Sequence, residues 1–164
     1  MICMIAAGAY AGHRASQSLT RRVAQLEDVM TFLQLMSTQI RYTMPPLPTL
    51  FLELQGNTAC QNLLFPEECA GLLGRDVPFP EAWKLSLDHA LPMLAVKKQD
   101  LAPLYELGEQ LGCTDVEGQL AIIALALQRM RQTLNEAQEY KRQNGGLYRT
   151  LGVLSGVFLI LLTV

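Results

Sequence analysis

Positions 19, 23, 26, 30, 33, 37 and 40 of this chain step by four and three residues, and all but Ser37 are apolar. Leu19, Leu26, Leu33 and Ile40 fall seven apart, and Val29, Phe32 and Met36 widen the stripe. This spacing predicts a long amphipathic helix with a coiled-coil-like seam. Met44-Pro-Pro-Leu-Pro48 removes backbone donors and should stop it near Tyr42. A short helix is predicted over 48–55, with Leu50, Phe51 and Leu54 on one side, and Gly56-Asn57 ends it. Another is predicted over 66–73, with Pro66 at its start and Gly74 just past its end.

After Pro78-Phe-Pro80, residues 81–91 place Trp83, Leu87 and Leu91 on one helical face. Asp100 reads as an N-cap for a helix that ends at Gly112, with Pro103 tolerated in its first turn. Thr114-x-x-Glu117 reads as a capping box for the last helix. Leu120, Ile123, Leu127, Met130 and Leu134 are its expected core face. No segment sustains a two-residue alternation of β-branched side chains. The fold class expected is therefore all-α, an antiparallel bundle of about five to six helices with apolar membrane-anchoring segments at both ends.

The ends carry the strongest signal. Residues 151–164 contain no charge and no proline. As a helix they cover about 21 Å, against a hydrocarbon core of roughly 30 Å. Counting from Gly145 closes the gap and includes one charge, Arg149, which can snorkel to a headgroup layer. The plainer alternative is a C-terminal helix buried in a soluble core. Residues 1–12 are also apolar but too few to span, so a shortened anchor or entry into one leaflet is expected. The charge follows this segment instead of preceding it, unlike a signal peptide. Arg14, Arg21 and Arg22 on one side and Lys141, Arg142 and Arg149 on the other flank the middle of the chain. The positive-inside rule then places that middle in the cytoplasm. The expected organisation is an N-terminal membrane segment (1–12), a cytoplasmic bundle (13–144) and a C-terminal anchor (145–164).

Gly8-x-x-x-Gly12 and Gly152-x-x-x-Gly156 place small residues at a spacing that lets helices approach closely in lipid. They are expected to pack the two membrane segments, or neighbouring subunits, against each other. Chance is the competing reading, since glycine is frequent in membrane helices.

Composition supports one domain. The chain has 164 residues, is 50% apolar and 17% charged, and has a net charge of −2. That balance gives no case for nucleic acid. The four cysteines include no C-x-x-C pair and read as reduced thiols. No P-loop, no G-x-G-x-x-G and no clustered metal ligands occur, so no catalytic residue, metal or cofactor is expected. A Cys60 or Cys113 site with His89 is the enzymatic alternative, and a regulatory ligand-binding bundle is another. Adjacent Asp88 and His89 point about 100° apart on a helix, which argues against a triad made from both. Trp83, the only tryptophan, reads first as a core anchor and second as a partner-facing hot spot. The polar run 138–144 reads as a solvated helical neck.

Features spread along nearly the whole length resemble the stage III sporulation protein AB family of endospore-forming bacteria. They are Pro46-Leu47, Glu81-Ala82-Trp83, Lys97-Lys98 with Asp100-Leu101, Leu107-Gly108 with Leu111-Gly112, Asp115 with Gln119, and Tyr148-Arg149-x-Leu151-Gly152. Their order and spacing carry the resemblance, since none is specific alone. The resemblance implies a non-enzymatic platform subunit in the membrane between mother cell and forespore, within a secretion-like channel complex. Its cytoplasmic domain would be similar to that of the platform protein of type II secretion and type IV pilus systems. A secretion-type ATPase, other channel subunits and further copies of the chain are the partners implied.

Overall fold

The structure is a computed structural model that describes the backbone of residues 2–163 and the side chains of residues 14–144. Among the described residues it is entirely helical: α1 (Ile2–Tyr42), α2 (Leu47–Leu54), α3 (Thr58–Leu63), α4 (Phe65–Leu73), α5 (Phe79–Ala90), α6 (Ala102–Gln110) and α7 (Val116–Thr163). Single 3-10 turns occupy Leu91–Met93 and Lys98–Leu101. The expected helices are present, and α3 is an addition. Asn57, read from sequence only as a breaker, caps it: its side chain accepts a hydrogen bond from the Ala59 N–H at 3.0 Å.

The chain divides into two units, Met1–Val23 with Asn135–Val164, and Ala24–Leu134. The first holds the terminal portions of α1 and α7. Among its described side chains, Val23 and Ala137 are buried, and Arg142 makes a two-pronged contact with Glu139 at 2.9 and 3.0 Å. Gly8, Gly12, Arg149, Gly152 and Gly156 lie outside the residues whose side chains are described. Among the described residues, no helix is long and apolar enough to cross a membrane.

The second unit is the helical body. Here α2 packs along α4, α4 along α5, and α5 along α6. α4 and α5 run antiparallel, since Glu68 in the first turn of α4 meets His89 in the last turn of α5 at 2.5 Å. Two side chains of α1 reach other segments: Gln25 accepts from the Ala95 N–H in a connection at 2.6 Å, and Asp28 accepts from the Asn62 side chain of α3 at 3.1 Å.

Aromatic rings from four helices fill the centre. Phe32 of α1, Phe51 of α2, Phe65 of α4 and Phe79 of α5 surround Trp83, with ring centroids 5.4–6.1 Å from the indole. Tilted and edge-to-face pairs of this kind contribute beyond their area burial. The cluster explains why α1 buries Val29, Phe32 and Met36 completely while Met30 and Ser37 are only half-buried. The heptad residues Leu26, Leu33 and Ile40 face the core as expected, and the widening residues join them there. In α7 the expected face is met in part: Ile123 and Met130 are buried with Ala126 and Ala137, whereas Leu120, Leu127 and Leu134 are half-buried.

Capping also departs from the sequence reading at two places. The N-cap of α7 is Asp115, whose carboxylate accepts from the Gly118 N–H at 2.9 Å, so Thr114 and Glu117 do not form the expected box. Asp100 does not open α6. It is buried and accepts from the Lys97 N–H at 2.8 Å, closing the 3-10 turn that precedes the helix. Pro103 then falls in the first turn of α6, as expected.

Candidate interaction surface

Trp83 lies in the core with 1% of its surface exposed, and its Nε1–H donates to the Leu104 carbonyl at 2.7 Å. This corrects the reading of Trp83 as a partner-facing hot spot: its ring is used internally and offers no outer surface. A β-carbon added at Gly108 would fall 2.0 Å from Trp83 Cδ1, so only glycine lets α6 approach the indole this closely.

Of the groups that could carry chemistry, Cys113 is an exposed free thiol, and the others are buried or engaged by neighbours. Cys60 and Cys69 are buried free thiols. Burial pushes Cys60 up to about 11 and Cys69 up to about 12, so both stay protonated at neutral pH. His89 engages Glu68, while Asp88 accepts from the Tyr105 hydroxyl at 2.7 Å, so the two neighbours face different helices. Burial first, and the bond to Asp88 second, raise the Tyr105 phenol above its ordinary range. Lys98 completes that group, 3.8 Å from Asp88 and 5.5 Å from the centre of the Tyr105 ring. Among the described residues, no group of three His, Cys, Asp or Glu side chains could hold a metal.

The remaining interface-charge candidates are placed as follows. Arg14 and Arg21 are exposed, Arg22 and Lys141 are half-buried, and Arg142 is exposed beside Glu139. The hydrogen bonds from Arg142 and then Gln143 hold the Glu139 carboxyl below the usual carboxylate range.

Two outward features of the body are built by the fold and were not singled out from sequence. One is a shallow groove between α6 and α7, floored by Leu107, Ile122 and Ala126 and bridged at its rim by the Glu106–Arg129 ion pair. The other is the end where α1 gives way to α2. Gln39 accepts from the N–H groups of Thr43 at 2.9 Å and Met44 at 3.2 Å, closing the helix. Met44 is left-handed at φ 48, and Pro46 is extended at φ −54, ψ 145. Tyr42 and Met44 project outward, 79% and 63% exposed. At the base of this ridge, the Leu47 side chain sits against Gly112, which terminates α6 at φ 85. Exposed methionine and tyrosine side chains on an ordered turn are typical of contact surfaces. The signal was present as the uncharged stretch 42–52, but the proline run was read only as a helix stop.

Comparison with known proteins agrees with this architecture. A family model for stage III sporulation protein AB matches residues 1–164. The chain is 27% identical over 162 residues to stage III sporulation protein AB of Bacillus subtilis (strain 168), covering 98% of this chain and 95% of that protein. A solved structure of a stage III sporulation protein AB superposes with a TM-score of 0.63 at 24% identity, covering 75% of this chain and 98% of that one, and so shares its fold. Of the residues that carried the resemblance in the sequence, Trp83, Asp100, Leu101, Leu107 and Gly108 are now seen buried in the body, and Asp115 caps α7. By a match over its whole length, the chain belongs to the stage III sporulation protein AB family.

Proposed function

We propose that the chain is a non-enzymatic platform subunit that holds a helical body at a membrane and docks a secretion-type ATPase within a sporulation channel complex. The observation that carries this reading is the family match over residues 1–164. The uncharged run 151–164 and the basic residues on both sides of the body supply the anchor and its orientation. The location proposed is the outer forespore membrane, with the body on the mother-cell side, in the cytoplasm. Buried, protonated thiols and a histidine engaged by a glutamate support a positional role over covalent catalysis.

The test is a pull-down from sporulating membranes, using the full chain and a chain ending at residue 150. The full chain should bring down the sporulation secretion-type ATPase and other channel subunits, and the shortened chain should lose them with the membrane. Recovery of the same partners by both forms would remove the anchor from the mechanism. Recovery of no channel subunit by the full chain would sink the platform reading.

A further inference from the structure

We draw no further inference here: the strongest candidate, the shallow groove between α6 and α7 lined by Leu107, Ile122, Leu125 and Ala126, carries nothing because no feature of the structure shows what covers it.

Discussion

Gly108 lies against the Trp83 indole, so close that a β-carbon there would fall 2.0 Å from Cδ1 and 2.6 Å from Nε1. The indole has no room to yield, because four phenylalanines surround it and Leu104 holds its N–H. Gly108→Ala should therefore cost about 3 kcal/mol, at the upper end of overpacking effects. Urea unfolding followed by Trp83 emission reads this directly. An unchanged midpoint would show that α5 and α6 are not packed as described.

Replacing the ring tests the other half of the same contact. Trp83→Phe keeps an aromatic side chain but removes the donor to Leu104 and leaves space beside Gly108. A loss of about 2 kcal/mol or more is expected from the missing hydrogen bond and the cavity together. The double variant Trp83→Phe/Gly108→Ala should be less destabilised than the sum of the two, since the smaller ring vacates room for the methyl group. Strict additivity in denaturation would contradict the contact.

Asp115 and Thr114 make a sharper pair of variants. Asp115 caps α7 through the Gly118 N–H, whereas the expected cap was Thr114. Asp115→Ala should cost about 1 kcal/mol and Thr114→Ala only a few tenths. The reverse ranking in thermal unfolding would restore the box read from the sequence.

That cap shows which parts of the fold were legible. Apolar spacing located α1, α2, α4, α5, α6 and α7, because proline and glycine punctuate the connections. It did not locate α3, six residues long, whose start is an asparagine in a run that reads equally well as turn. The inward side of α1 was legible, since Leu26, Leu33 and Ile40 are buried, but that of α7 was legible only in part. α7 carries more apolar positions than one seam needs, whereas on α1 the aromatic cluster adds Phe32 to the face that the seam already marks. Trp83 was legible as a core anchor, but its lock with Gly108 joins residues distant in sequence. The ridge at Tyr42 and Met44 was hidden for a different reason: left-handed backbone at a methionine has no sequence signature.

The buried thiols give a pH dependence. In the unfolded chain Cys60 and Cys69 ionise near 9.0, and in the folded body near 11 and 12. Both folded values are raised, so the contribution to stability is fully present below pH 9. It is lost as pH rises from about 9 toward about 12, because the unfolded state releases its protons first. Unfolding measured at increasing pH should show wild type losing stability more steeply in that window than Cys60→Ala/Cys69→Ala. Matching slopes would place the thiols in contact with water.

The central claim is that the helical body is held at a membrane by the end of the chain. Alkaline carbonate extraction of membranes containing the full chain, or the chain ending at residue 150, tests it most directly. The account predicts that the full chain stays with the lipid and that the shortened chain is released. Release of the full chain into the supernatant, alongside peripheral proteins, would contradict it.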